Sequence, residues 1–237
     1  MPNLILFADN LISLCQPPHM QTLSEENYLK VIYNLDKQGL KKVTPTAISE
    51  ALKNNPASVV DMIKKLVDKK LLNYEKTKGV KLTEKGKNIA VLVVRKHRLW
   101  EVFLLEKLGY GWDEVHDIAE QLEHVQQNEL ADRLEKFLGF PQYDPHGDPI
   151  PKANGDSAIM YKTLLAEIEE GKSCRVVAVK DTSPSFLQYL KKLDIGIGTK
   201  IGLVEKIPFD NSIVITIGKN GKTTVSKIFA ENLLVHE

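Results

Sequence analysis

The stretch PASVVDMIKKLVDKKLLNYEKTKGVKL, residues 56–82, predicts an amphipathic helix followed directly by a β-hairpin. In its first half, apolar residues recur at helical spacing from Val59 to Leu66. In its second half, apolar and polar residues alternate on both sides of a Lys78-Gly79 turn, the pattern of two short antiparallel strands. The fold therefore depends on what precedes this helix.

Two capping pairs lie upstream of the hairpin. Thr44-Pro45 and Asn55-Pro56 each place a capping side chain directly before a proline, which is typical of a helix start. A short helix, a tight turn and a second amphipathic helix form the helix-turn-helix pattern. In a winged helix-turn-helix domain, a β-hairpin called the wing follows the second helix, and the predicted hairpin lies at this position. We predict a winged helix-turn-helix DNA-binding domain over residues 20–83.

The charge distribution supports DNA binding only locally. The 237-residue chain has a formal net charge of +1, so attraction to phosphate must come from a patch. Lysines crowd the second helix and the hairpin, although a solvated lysine-rich surface would give the same run. We expect base edges to be met by Asn54, Asn55, Ala57, Ser58 and Asp61. We expect phosphates to be met by Lys64, Lys65, Lys76 and Lys78.

Composition excludes several other classes of protein. The two cysteines, Cys15 and Cys174, form no CxxC pair, which argues against a disulfide framework or a structural zinc site and fits a reducing, cytoplasmic compartment. No apolar run reaches the roughly 20 residues of a membrane span, so no membrane partner is expected. The apolar start lacks the features of a signal peptide, and residues 1–19 are predicted to be an extension of uncertain role.

The rest of the chain divides into helices and then strands. A long helix begins after Thr83, a second helix is predicted from Asp113 to about Gln127, and a third completes a helical domain over residues 84–140. Residues 141–157 are rich in Pro, Gly and Asp and predict a linker. Residues 158–237 contain about five β-branched runs, which suggests a small antiparallel barrel. The fold class is therefore mainly α with a small β domain.

Ligand-type side chains recur on two consecutive helices. Helices joined by a short turn pack antiparallel, so their polar faces can meet, as they do in the metal sites of helical bundles. The candidate metal ligands are His97, Glu101, His116, Glu120, Glu123 and His124.

Two simpler explanations compete with a metal site. The second helix alone is also the pattern of a solvated acidic face, and His97 with Glu101 could be a buried ion pair. These two residues interrupt an apolar stripe, however, and a buried carboxylate without a partner is costly. Carboxylates and imidazoles without cysteine favour Mn(II) or Fe(II) over a structural zinc.

Several stretches resemble the diphtheria toxin repressor family of metal-dependent transcriptional regulators. They are SEENYLKVIYNL, PASVVDMIKKLVDKKLL, LTEKGKNIAVLVVRKHRLWEVFL, EVHDIAEQLEHV and HGDPIP. The tail from about Ala158, ending in SKIFAENLLV, resembles the FeoA-like, Src-homology-3-like β-barrel of many members. The resemblance implies a winged helix that binds an operator in double-stranded DNA, and helices that hold metal and form a homodimer. It also implies repression of metal-uptake genes.

The resemblance also divides the ligands into two sites. It implies an ancillary site of His97, Glu101 and His116 and a primary, regulatory site. The primary site would contain Glu120, Glu123 and His124. Glutamate at position 120 is similar to the manganese-responsive members, whereas some iron-responsive members have cysteine.

Two further ligands are implied by position. Asn27 stands where the family has Met or Asp before a tyrosine, but with Ser24 as helix cap its amide could instead bond back to the helix start. Glu26 is a weaker substitute for it. Asp181 is the only carboxylate near the place where the barrel supplies supporting ligands.

Two other functions remain as alternatives. One is a metal-independent winged-helix regulator that uses the barrel for protein contacts. The other is a metal-dependent hydrolase, which would need a substrate cleft and a general base. The sequence has no nucleophile motif and no phosphate loop, so no enzymatic activity and no small-molecule substrate are expected.

Overall fold

The computed structural model describes residues 21–159, 162–218 and 221–237, and the predicted extension over residues 1–19 lies outside them. The chain folds as two compact units, divided between Ala90 and Val91. Among the described residues, no helix combines the length and apolar character that a membrane span requires.

The first unit has the predicted order of helices and strands. It contains α1 (Leu23–Lys37), α2 (Pro45–Leu52), α3 (Pro56–Asp68), β1 (Leu72–Glu75) and β2 (Gly79–Leu82), and α4 (Glu84–Leu108) begins in it. Its core is apolar and fully buried, with Leu29, Ile48, Val59, Leu66 and Leu71 among its members. The winged helix-turn-helix prediction is confirmed.

The helix starts follow the capping side chains, with one correction. The Oδ1 atom of Asn55 accepts a hydrogen bond from the amide of Ala57 at 2.8 Å, as predicted for the start of α3. α1, however, is capped by Thr22 and not by Ser24. Thr22 Oγ1 accepts from the amide of Glu25 at 3.3 Å, and Glu25 Oε2 accepts from the amide of Thr22 at 3.1 Å. This reciprocal capping box satisfies two helix-end donors at once.

The wing is a two-stranded antiparallel sheet that pairs Leu72 with Leu82 and Glu75 with Gly79. Gly79 adopts φ +81°, and a Cβ there would lie 2.4 Å from the carbonyl oxygen of Val43. The turn therefore requires glycine both for its backbone conformation and for this close approach.

The second unit contains the rest of α4, then α5 (Val115–Leu122) and α6 (Asn128–Phe137). α5 is shorter than the sequence suggested. We expected it to run to about Gln127, but Leu122 is its last residue and Glu123 is its C-cap. His124 therefore lies in the turn that follows the helix.

The C-terminal part of the second unit is a six-stranded antiparallel sheet in the order β3-β8-β4-β5-β6-β7. Its elements are β3 (Thr163–Leu164), β4 (Ser173–Val179), α7 (Pro184–Lys192), β5 (Lys200–Lys206), β6 (Ile213–Ile217), β7 (Lys222–Val225), α8 (Lys227–Glu231) and β8 (Leu233–His236). The predicted small β domain is confirmed. Within the described residues, β3 and β7 are the two edges of this sheet and do not pair with each other.

The predicted linker over residues 141–157 is partly buried. The amide of Val179 in β4 donates to the carbonyl oxygen of His146 at 3.0 Å. A Cβ at Gly147 would lie 2.0 Å from the carbonyl oxygen of Val177, so only glycine fits against this strand. Proline and glycine correctly indicated irregular backbone here, but the middle of the segment packs against the sheet and is not an exposed connection.

Candidate metal centre

Three imidazole rings converge on one carboxylate oxygen. Glu101 Oε1 lies 3.0 Å from His97 Nε2, 3.2 Å from His116 Nδ1 and 3.5 Å from His146 Nδ1. Glu101 is only 1% exposed, so its carboxylate is surrounded by protein groups and not by bulk solvent. α4 places His97 and Glu101 one turn apart, and α5 supplies His116.

His97 joins this group to the second set of carboxylates. Its Nδ1 atom lies 2.7 Å from Glu123 Oε2 and 4.0 Å from Glu120 Oε1. Glu120 also approaches His116, with 3.6 Å between its Oε1 atom and His116 Nε2. The two sites implied by the resemblance are therefore neighbours that share contacts through His97.

The described residues form three groups of possible metal donors, each with its ligand atoms within 4.8 Å of one another. The groups are His97, Glu101 and His116; His97, Glu120 and Glu123; and Glu101, Asp144 and His146. The third group includes two residues that the sequence reasoning missed, because they lie in the predicted linker. One sequence signal was available for His146. The stretch HGDPIP, which begins at this residue, resembles the family, but the sequence alone suggested no role for it.

Burial and hydrogen bonding shift the pKa values of this cluster in opposite directions. Burial disfavours the charged form of Glu101, but hydrogen bonds from His116, His146 and His97 hold its pKa well below the usual range. Burial, with the charge of Glu101 nearby, raises the pKa of Asp144 to about 7. Burial opposes the charge of His146, but its contact with Glu101 raises its pKa overall.

Main-chain contacts fix the third group in place. His146 Nε2 lies 2.9 Å from the carbonyl oxygen of Trp112, and the indole of Trp112 stacks on the imidazole at a centroid distance of 6.2 Å. Asp144 Oδ1 accepts from the amides of His146 and Asp148 at 2.8 and 3.0 Å. Arg98 Nε lies 3.4 Å from Asp144 Oδ2.

The remaining predicted ligands have different surroundings. His124 Nε2 lies 3.6 Å from Glu123 Oε1, but His124 belongs to none of the three donor groups. Asp181 Oδ1 accepts from the amide of Ser183 at 2.8 Å at the start of α7, and the described residues place it in no donor group either. The Oδ1 atom of Asn27 is buried and has no hydrogen-bond partner. Because Thr22 caps α1, the capping role considered for Asn27 is wrong.

The predicted base-reading residues lie at the exposed start of α3. Ala57, Ser58 and Asp61 are exposed there. Asn55 is exposed, but its Oδ1 atom caps the helix, which leaves only its Nδ2 atom for a base. Asn54, also exposed, has its Nδ2 atom 3.4 Å from the hydroxyl of Tyr28.

The four predicted phosphate contacts differ in their partners. Lys64 pairs with Asp61 at 3.1 Å, and Lys78 pairs with Glu75 at 2.8 Å, in each case between exposed side chains. Lys76 is exposed in the wing turn. The ammonium of Lys65 instead lies 3.0 Å from the buried carboxylate of Glu25.

Comparison with known proteins identifies the family. Residues 20–80 match the iron dependent repressor N-terminal DNA binding domain, and residues 83–152 match the iron dependent repressor metal binding and dimerisation domain. The chain belongs to the iron-dependent repressor family. Residues 163–237 match the FeoA domain. The resemblance inferred from the sequence is thus confirmed, and the matched metal-binding region extends through Asp144 and His146.

Individual members of the family are similar over different lengths. The chain is 38% identical to the iron-dependent repressor IdeR of Mycobacterium tuberculosis over 128 residues, which are 53% of this chain and 54% of that relative. It thus spans about half the length of this relative. With IdeR of Mycobacterium leprae it shares 32% identity over 84% of this chain and 90% of the relative.

A solved structure of a manganese-dependent transcriptional repressor in complex with manganese is also similar. It has 32% sequence identity and a TM-score of 0.81, and the match covers 89% of this chain and 98% of that one. The family therefore contains members named for iron and members named for manganese, which are the two metals that the ligand chemistry favours here.

Proposed function

We propose that this protein is a metal-dependent DNA-binding transcriptional repressor, activated by Mn(II) or Fe(II), that acts as a homodimer on double-stranded DNA. The observation that carries the proposal is the convergence of His97, His116 and His146 on Glu101 in a chain that also contains a winged helix-turn-helix. Buried imidazoles around a carboxylate form a donor set for a divalent cation.

The donor set fits manganese better than zinc. It combines carboxylate oxygens with imidazole nitrogens and includes no thiolate, and Glu120 adds a carboxylate next to Glu123 and His97. Hard oxygen ligands suit Mn(II) and Fe(II), whereas closed structural zinc sites commonly contain cysteine. We propose Mn(II) as the preferred activator and Fe(II) as the next.

The chain's own residues would hold the metal in two adjoining sites. His97, Glu101 and His116 would form one site, and Asp144 and His146 are grouped with the same Glu101. Glu120, Glu123 and His124 form the other. We also retain Asn27 as a proposed metal ligand, because its buried Oδ1 atom lacks a hydrogen-bond partner. Leaving such an atom unpaired costs about 1–3 kcal/mol, which metal ligation would offset.

Regulation would come from thermodynamic coupling between metal binding and DNA binding. A ligand shifts a conformational equilibrium only by its differential affinity for the two states. We propose that metal binds more tightly to the DNA-competent form, so that DNA must in turn strengthen metal binding by the same factor. The protein would act in the cytoplasm as a regulator of metal-uptake genes, not as an enzyme.

The deciding experiment measures DNA affinity as a function of metal. A duplex selected from a random library by the manganese-loaded protein serves as the probe. Its affinity is then measured by fluorescence anisotropy with manganese, ferrous iron, zinc and a chelator. We expect binding to be strongest with manganese, then with iron, and weakest with the chelator. Equal affinity in all four conditions would support the metal-independent alternative and overturn the proposal.

A further inference from the structure

A fully buried carboxylate at the start of α1 contacts two lysines, one in the last turn of α3 and one directly after that helix. Both carboxylate oxygens of Glu25 lie close to Lys69 Nζ, at 2.7 and 2.9 Å, and Lys65 Nζ lies 3.0 Å from Oε1. Glu25 itself is 0% exposed, and its Oε2 atom also accepts the amide of Thr22. The carboxylate therefore bonds to donors on two helices.

Lys65 lies on the face of α3 that the helix-turn-helix motif directs toward DNA. Ser58, Asp61 and Lys65 are three, four and seven residues apart, so they share one face of the helix. Lys69 is the residue directly after α3. Without Glu25, both ammonium groups would belong to the positive patch that attracts phosphate.

The contact with Glu25 differs from the exposed pair of Lys64 and Asp61. The side chains of Lys64 and Asp61 are 70% and 76% exposed, and an exposed pair of this kind contributes little and dissociates readily. The carboxylate of Glu25 is enclosed, so removing its lysines would leave an uncompensated buried charge, which is strongly unfavourable. Phosphate can therefore compete for Lys64, but competes poorly for Lys65 and Lys69.

We propose that Glu25 withholds Lys65 and Lys69 from the DNA backbone. It fixes the C-terminal end of α3. It also removes two positive charges from the surface that attracts DNA phosphates regardless of sequence, and so limits non-specific binding. Glu25 is thus a positioning residue for DNA recognition. The inference rests on the proposed DNA-binding function, and it replaces the prediction that Lys65 contacts phosphate.

The test uses the salt dependence of non-specific binding. The full chain with manganese is titrated against a duplex of random sequence over a series of potassium chloride concentrations. The slope of log affinity against log salt changes by about 0.9 for each phosphate neutralised. We expect Glu25→Gln to bind this duplex more tightly and to steepen the slope by about 0.9 for each lysine released. Glu50→Gln, which changes the net charge equally at an exposed position, should leave the slope unchanged.

A second pair of variants keeps the test decisive if Glu25→Gln does not fold. In the otherwise unchanged chain, Lys64→Gln should reduce the slope by about 0.9, whereas Lys65→Gln should leave it unchanged. Equal losses for Lys64→Gln and Lys65→Gln would overturn the inference, as would a Glu25→Gln slope equal to that of the wild type. If the wild-type protein binds no DNA, the proposed function fails and the inference fails with it.

Discussion

The Nε2 atom of His146 lies 2.9 Å from the carbonyl oxygen of Trp112. A carbonyl oxygen only accepts hydrogen bonds, so this nitrogen must carry a proton. In the neutral ring, the lone pair is then on Nδ1, which lies 3.5 Å from Glu101 Oε1. Metal-ligating histidines commonly bond their second nitrogen in this way, which fixes the tautomer and raises the basicity of the ligating atom. The contact with Trp112 would therefore leave His146 Nδ1 available to a cation beside Glu101.

Replacing His146 should weaken metal binding without removing the other donors. We expect His146→Ala to lower manganese affinity by about tenfold or more, since it removes a pre-oriented imidazole. Isothermal titration calorimetry measures both affinity and stoichiometry. His236→Ala, at an exposed histidine of β8, is the matched control and should bind manganese as the wild type does. An unchanged affinity in His146→Ala would show that this histidine has only a packing role.

Glu123 should be required for the response to metal. Glu123→Gln keeps the size of a fully buried side chain but removes a charged ligand that lies 2.7 Å from His97. We expect this variant to lose most of the manganese-stimulated increase in DNA affinity while its thermal unfolding remains cooperative. Glu129→Gln, in an exposed pair with Arg133, provides the control in anisotropy measurements. A full manganese response in Glu123→Gln would remove Glu123 from the site.

Metal affinity should rise with pH through about 7. The pKa of Asp144 is raised to about 7, so below this value the side chain is mainly protonated and metal must displace a proton. Above it, the carboxylate is already charged, and binding is stronger. We expect Asp144→Asn to show a flatter dependence of manganese affinity on pH than the wild type. Asp194→Asn, at an exposed turn position, should keep the wild-type profile; identical profiles for all three proteins would exclude Asp144 as a ligand.

A negative charge at position 27 should increase the stabilisation that manganese provides and lower the stability of the metal-free protein. The Oδ1 atom of Asn27 is buried without a hydrogen-bond partner, so Asn27→Asp would bury a carboxylate that only a cation compensates. We expect its melting temperature to fall in chelator and its gain on adding manganese to exceed that of the wild type. The variant Asn27→Ala should show a smaller gain than the wild type. Equal gains in the three proteins would exclude position 27 from metal binding.

The parts of the fold that were predicted correctly depend on local signals. Asn55-Pro56 marks the start of α3, and the apolar spacing from Val59 to Leu66 defines its buried face. The wing follows from short-range alternation and from Gly79. The start of α1 was misplaced because Ser24 and Thr22 are both good caps, and only Glu25, three residues after Thr22, completes the capping box.

The candidate site was predicted only where its ligands have helical spacing. His97 and Glu101 are one turn apart, so their proximity follows from the helix alone. His146 approaches Glu101 from 45 positions along the chain, through backbone that has no repeating pattern. Such a contact is set by tertiary packing, here by the carbonyl of Trp112 and the strand beside Gly147, and no local feature of the sequence specifies it.

The hydrogen bond from the amide of Val179 to the carbonyl oxygen of His146 links strand β4 directly to the loop that carries this histidine. A strand amide exchanges its proton with water only when its hydrogen bond opens. The exchange rate at Val179 therefore reports how firmly the His146 loop is held. If His146 binds metal as proposed, exchange at this one backbone position in β4 should slow when metal is added.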